Sequence, residues 1–203
     1  MEALFVSTGV VALAEIGDKT QLLAFLLATR FKKPLPIIAG ILVATLLNHS
    51  MAGALGAWIT ATLSPQTLRW ILGLTFIAMA IWTMIPDKIE EEEMQVAKRF
   101  GVFGATLVTF FLAEMGDKTQ IATIAMSAHY ASVVLLVIGT TLGMMIAEFH
   151  KEVDKMIADV PAVFIGDRLS ARIPMKLVHG IAAAMFAAMG VATLFGAGAS
   201  FGF

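Results

Sequence analysis

Apolar residues in this chain gather into continuous runs rather than alternating with polar ones: residues 3–29, 35–63, 70–85, 102–128, 131–147 with a continuation to 166, and 177–195. A helix rises about 1.5 Å per residue and the hydrocarbon core of a bilayer is about 30 Å thick, so runs near twenty residues predict membrane-crossing helices. The pattern therefore predicts an all-α integral membrane protein of six transmembrane helices. Continuity speaks against β-barrel strands, which alternate. Turn-forming stretches separate the runs at 30–34, 64–66, near His129 and at 167–174, and residues 86–100 form the one real linker.

Composition agrees with the pattern. Of 203 residues 59% are hydrophobic and 14% charged, and the mean hydropathy is +0.86, more apolar surface than a single water-soluble domain can bury. The net charge of −1, with Lys and Arg confined mainly between the runs, argues against nucleic acid as a partner. Absence of cysteine excludes disulfides, thiolate metal sites and thiol catalysis. Ala12-Leu13-Ala14 imitates a signal-peptidase site, but Met1-Glu2 lacks the basic segment of a signal peptide, so cleavage is not expected.

Loops after the first, third and fifth runs contain Arg30, Lys32, Lys33, Lys88, Lys98, Arg99, Arg168 and Arg172, whereas the opposite side has essentially Arg69. Cytoplasmic loops retain basic residues, which puts the linker in the cytoplasm and both termini outside it. Trp58 and Trp70 would then mark the outer interface and Trp82 the inner one.

The most informative feature is an internal repeat. Residues 13–21, Leu-Ala-Glu-Ile-Gly-Asp-Lys-Thr-Gln, recur at 112–120 with eight of nine positions identical at an offset of 99, and Gly40 matches Gly139 at the same offset. Three runs per copy force the second copy to enter the membrane in the opposite sense. The expected fold is thus two inverted-topology repeats of three helices, residues 1–85 and 101–203, joined by an acidic cytoplasmic linker at 86–100.

Glu15 and Glu114 each fall about halfway along a run, so the two motifs should meet near the bilayer midplane on antiparallel helices. On an unbroken helix Glu15, Asp18 and Lys19 share a face, as do Glu114, Asp117 and Lys118. Each ionisable group at that depth costs about 2.5–3.5 kcal/mol even on a lenient insertion scale, a burden that points to function. Glu-to-Lys pairing at i,i+4 is the structural alternative, and it leaves both aspartates over. Four carboxylates and two ammonium groups sum to −2, which one divalent cation cancels. Oxygen ligands from Glu15, Asp18, Glu114 and Asp117 suit hard ions such as Mn²⁺, Ca²⁺ or Mg²⁺, with Lys19 and Lys118 balancing charge. Without a cation the clustered acids would hold protons, so metal entry would expel protons and proton return would expel metal.

Gly17 and Gly116 permit either close helix approach or local unwinding. Thr20, Gln21, Thr119 and Gln120 point away from the acid face of an unbroken helix, so their joint repetition hints at a break, where they or freed carbonyls would assist coordination.

These paired Glu-x-Gly-Asp-Lys-Thr-Gln motifs resemble those of the manganese and calcium transporter family of Golgi, chloroplast and bacterial membranes, over nearly the whole chain, and most of all its bacterial manganese exporters. The resemblance implies a six-helix, two-repeat fold in a bacterial inner membrane and export of Mn²⁺, with Ca²⁺ as second candidate, in exchange for protons. It also implies that Glu15, Asp18, Glu114 and Asp117 are the ion site. The metal is then cargo, no resident cofactor is expected, and the partners are divalent ions and lipid; oligomeric state does not follow.

The second copy departs from the first in an insert around 148–158, which raises the offset from 99 to 110. It contains Glu148-Phe149-His150-Lys151-Glu152-Val153-Asp154-Lys155, and Met145-Ile146-Ala147 before it echoes Met156-Ile157-Ala158 at its end. Eleven residues approach three helical turns, so the insert either preserves the facing of its flanks or loops out. Asn48 in the second run and Asp159 after the insert are auxiliary ligand candidates, although an amide such as Asn48 also serves helix packing. His49 and His179 are read as packing residues, Glu90–Glu93 as a solvated charge run, and the thirteen Met residues as packing material.

An intramembrane lipid-diphosphate phosphatase is the alternative, because acidic motifs on inverted repeats meet in such enzymes too. That chemistry needs buried basic groups to clamp phosphate. No Arg lies within a run at mid-depth, and Lys19 and Lys118 each neighbour two acids, so transport is the expectation and an enzyme is not.

Overall fold

A computed structural model describes residues 1–85, 101–156 and 175–196. Helix is the only regular structure among them: α1 Glu2–Glu15, α2 Lys19–Phe31, α3 Pro34–Thr62, α4 Pro65–Trp82, α5 Val102–Glu114, α6 Lys118–Ser127, α7 Val133–Met156 and α8 Met175–Leu194. Local chemistry sets several boundaries. Pro34 and Pro65 open α3 and α4, where a missing N–H costs nothing, and the Ser64 hydroxyl caps α4 by accepting from the Thr67 N–H. Lys32 ends α2 in a left-handed conformation, φ 50°.

Among the described residues, two helices are long and apolar enough to cross a membrane, Pro34–Thr62 and Lys176–Leu194. The runs expected to be single helices at 3–29 and 102–128 are instead divided, at Ile16-Gly17-Asp18 and at Met115-Gly116-Asp117. The expected common face for Glu15, Asp18 and Lys19, and its counterpart in the second motif, therefore does not exist: the glutamate closes one helix and the lysine opens the next. The insert resolves in the other direction. α7 runs without interruption through residues 148–156, so this part of the charged segment prolongs the helix and does not loop out. The linker at 86–100, the acidic run within it, Asp159 and the 167–174 loop lie outside the described residues.

Packing follows the repeat. α1 lies chiefly against α7, α5 against α3, and α4 against α8, where Phe76 and Phe186 stack with ring centroids 6.5 Å apart. Glycine lets the first two pairs approach closely. A Cβ at Gly40 would lie 2.7 Å from the Thr106 Cβ, and one at Gly139 would lie 2.1 Å from the Ser7 hydroxyl. Thr106 and Ser7 are themselves 99 residues apart, so one contact occurs twice. Outward faces are apolar: Leu46, Leu74, Ile81, Ile138 and Leu142 are all exposed. Inside, polar residues collect around the two helix breaks.

Candidate functional site

Both breaks have the same construction. Ile16 and Met115 are extended (φ −60°, ψ 112° and φ −69°, ψ 118°), Gly17 and Gly116 have φ of 86° and 78°, and Asp18 and Asp117 return to extended backbone before α2 and α6 begin. Positive φ is strained for any residue with a Cβ, which explains glycine directly after Leu-Ala-Glu-x without appeal to helix packing.

Ending a helix within an apolar run strands backbone groups, and the motif supplies their partners. The Gly17 N–H donates to Gln21 Oε1 at 3.2 Å, and the Gly116 N–H to Gln120 Oε1 at 2.7 Å. The amide nitrogens reach across the molecule: Gln21 Nε2 donates to the Ala147 carbonyl at 2.8 Å, and Gln120 Nε2 to Asn48 Oδ1 at 3.2 Å. Asn48 in turn donates to the Phe111 carbonyl at 3.1 Å. Residues 48 and 147 are again separated by 99. Each glutamine thus fastens its break to the long helix of the other half, and the hint carried by Thr-Gln in the sequence corresponds to real breaks.

The threonines aim the glutamates. Thr20 Oγ1 donates to Glu15 Oε2 at 3.1 Å and Thr119 Oγ1 to Glu114 Oε2 at 3.2 Å, each fixing one carboxylate oxygen. The second oxygen of each, Oε1, is buried and has no hydrogen-bond partner. Glu15 is 0% exposed, Glu114 1%, Asp18 and Asp117 4%. One carboxylate oxygen from each of Glu15, Glu114 and Asp117 lies within 4.8 Å of the others. Asp18 accepts a hydrogen bond and ion pair from Lys118, so the two motifs are joined across the repeat.

The lysines are not equivalent, because Lys118 is buried while Lys19 is half-buried. Facing triads were expected; the structure instead brings all four acids and one lysine to the centre. Lys118 interacts with Glu15, Asp18 and Asp117, and the i,i+4 glutamate-lysine pair is replaced there by a bond to the other half.

Two further residues border the breaks. The imidazole Nε2 of His179 on α8 donates to the Ile16 carbonyl at 3.2 Å, so this histidine closes the first break and does not merely pack. Glu148 on α7, 1% exposed, lies near enough to Glu114 for their charges to interact. His49 is buried, and neither ring nitrogen has a hydrogen-bond partner.

Buried carboxylates gathered at paired helix breaks have the chemistry of a cation site, and comparison with known proteins gives the family. The sequence profile described as "Divalent cation/proton antiporter GDT1" matches residues 3–91, 102–153 and 155–200. The chain belongs to this family of integral membrane transporters. It is 46% identical over 196 residues to a Vibrio cholerae protein named "Putative manganese exporter", covering 96% of this chain and 92% of that one. It is 26% identical over 220 residues to rice (Oryza sativa subsp. indica) GDT1-like protein 3, covering 96% and 74% of the two chains. The Arabidopsis thaliana GDT1-like protein 3 is 26% identical over 221 residues, with 96% and 71% covered. No solved structure matches the chain.

Proposed function

We propose that the protein exports Mn²⁺, with Ca²⁺ as the second candidate, in exchange for protons through a site formed by Glu15, Asp18, Glu114 and Asp117. One observation carries this reading. Three buried carboxylates from the two motifs converge within 4.8 Å, and Glu15 and Glu114 each keep an oxygen without a protein partner. A buried acceptor left bare costs about 1–3 kcal/mol, and more when charged. A cation or a proton removes that cost, and the two compete for the same lone pairs.

The residues divide the work. Thr20 and Thr119 each occupy one glutamate oxygen and turn the other inward. Asp117 adds a third ligand, and Lys118 offsets the charge of Asp18 beside them. Gln21, Gln120 and Asn48 hold the breaks open and stay outside the ligand set, since their polar atoms are engaged with each other or with backbone. Hard oxygen donors suit Mn²⁺ and Ca²⁺. The family and the Vibrio relative's name support Mn²⁺ and proton exchange.

In this reading α1 with α2, α3 and α4 form one three-span repeat and α5 with α6, α7 and α8 the inverted second. Their divided spans meet at the midplane, and alternate exposure of the site comes from rocking of one repeat against the other. Exchange of α1–α7 for α5–α3 packing under the 99-residue offset supports this symmetry. In this reading the linker is cytoplasmic and both termini are periplasmic, an orientation that the basic residues between the apolar runs support.

The test uses the purified full chain in liposomes. An acidic lumen should draw external Mn²⁺ inward as protons leave, and dissipating the pH gradient should stop it. Glu15→Gln and Asp117→Asn should each abolish metal-coupled proton movement while the protein remains folded. Unchanged flux in both variants overturns the site, and Mn²⁺ flux indifferent to the pH gradient overturns proton exchange.

A further inference from the structure

We infer that Lys118 sets which divalent ion the site prefers: by bonding Asp18 it keeps that carboxylate away from the ion, and three acids instead of four favour Mn²⁺ over Ca²⁺. This rests on the cation site proposed above and deepens it to selectivity. In both motifs the aspartate follows glycine and precedes Lys-Thr-Gln, so the sequence makes Asp18 and Asp117 equivalent. The structure separates them. Asp117 is one of the three acids, with Glu15 and Glu114, whose oxygens lie within 4.8 Å of one another, whereas Asp18 accepts a hydrogen bond and ion pair from the Lys118 ammonium. Lys118 opens α6 and Asp18 immediately precedes α2, so a lysine of one motif restrains the aspartate of the other. The two side chains are 3% and 0% exposed, and parting them would strand two buried charges.

Ligand number then distinguishes the candidate ions. Thr20 and Thr119 each occupy one glutamate oxygen, which leaves Glu15 Oε1 and Glu114 Oε1 to face an ion, and Asp117 adds the third carboxylate. So small a set suits an ion content with octahedral coordination, as Mn²⁺ is. Ca²⁺ takes about six to eight oxygens in flexible geometry, and its affinity is tuned by the number of charged ligands. Release of Asp18 would therefore favour Ca²⁺ more than Mn²⁺, beyond the stronger pull on any divalent ion that the extra charge brings. Lys118 is a positioning residue in this scheme, acting on the ion through Asp18.

The test uses purified full-length variants in liposomes. Two quantities are measured, the Mn²⁺ concentration giving half-maximal flux and the Ca²⁺ concentration that halves Mn²⁺ flux, and the ratio of the second to the first is the readout. Thermal unfolding in detergent checks the fold. Lys118→Met should lower the ratio about fivefold or more by releasing Asp18, and adding Asp18→Asn should return it to within about twofold of the parent. Lys118→Arg keeps a cation opposite Asp18 and should hold the parent ratio. A purely structural defect lowers flux and leaves the ratio in place. If Lys118→Met fails to fold, the double variant decides, because a buried pair replaced as a whole by neutral side chains is tolerated better than one stripped of a single partner. Transport by the double variant at the parent ratio supports the inference; loss of transport in a folded double variant puts Asp18 among the ligands and overturns it. A parent-like ratio in Lys118→Met, or an equal shift with and without Asp18→Asn, also overturns it, and inactivity of Glu15→Gln in the same assay then leaves the cation site standing. Activity in Glu15→Gln and Asp117→Asn overturns the site itself.

Discussion

The ammonium group of Lys118 is bonded to the carboxylate of Asp18, which belongs to the other copy of the motif. Both groups are buried, so neither charge has water to fall back on. Removing one partner of such a pair typically costs about 3–5 kcal/mol, because a buried charge is left behind. Lys118→Met should therefore lower the thermal unfolding temperature in detergent clearly, and adding Asp18→Asn should recover part of the loss. Lys19→Met should cost less, since Lys19 is half-buried. Equal destabilisation by the two lysine variants would contradict the asymmetry.

Backbone conformation at the breaks gives an independent prediction. Gly116 has φ 78°, and a Cβ there would meet nothing within 4 Å, so the penalty for Gly116→Ala is conformational and not steric. It should amount to about 1–2 kcal/mol, the cost of left-handed backbone for a residue with a Cβ. Gly17→Ala, at φ 86°, should behave alike. An unfolding temperature unchanged in both would mean that the breaks relax into continuous helix, and flux should then change as well.

The repeat and its acids were legible in the sequence because identical residues at a fixed offset need no structural interpretation. The breaks were only half legible. Gly17 within an apolar run is compatible with a close helix crossing or with unwinding, and what decides is whether partners exist for the exposed backbone; Gln21 and Gln120 provide them. The inequality of Lys19 and Lys118 could not be read from the motifs, which differ only at Ile16 against Met115. Elsewhere the surroundings do differ: residues 48 and 49 are Asn and His, whereas 147 and 148 are Ala and Glu. The burial of Glu148 was hidden by its charged neighbours, and the apolar Met-Ile-Ala phrase before it was the signal in the sequence. His179 carries no such signal, because its bond to Ile16 depends on where α8 crosses the break.

Glutamine at the end of each motif should be needed for structure before chemistry. Gln120→Leu leaves the Gly116 N–H and the Asn48 amide oxygen without the bonds they now make, and orphaning the buried Asn48 oxygen costs about 1–3 kcal/mol. Unfolding temperature and maximal flux should fall together, with little change in the Mn²⁺ concentration giving half-maximal rate. A selective loss of Mn²⁺ affinity at unchanged stability would instead place Gln120 among the ligands.

Helix packing offers the sharpest contrast between chemically identical substitutions. At Gly139 an added Cβ would lie 2.1 Å from the Ser7 hydroxyl and 2.6 Å from the Leu4 carbonyl; the latter is backbone and cannot rotate away. Gly139→Ala must push α1 off α7, and overpacking of this kind costs about 1–3 kcal/mol. Gly9, on α1 itself, has nothing within 4 Å of its Cβ position. Gly9→Ala should therefore be neutral or stabilising by up to about 1 kcal/mol, from helix propensity alone. Because α1 carries Glu15 at its C-terminal end, displacement by Gly139→Ala should also reduce flux, while Gly9→Ala should leave it intact. Unfolding temperatures and Mn²⁺ flux of the two variants, measured side by side, test the α1–α7 contact directly. Similar behaviour of the pair would mean that these helices do not pack through Gly139.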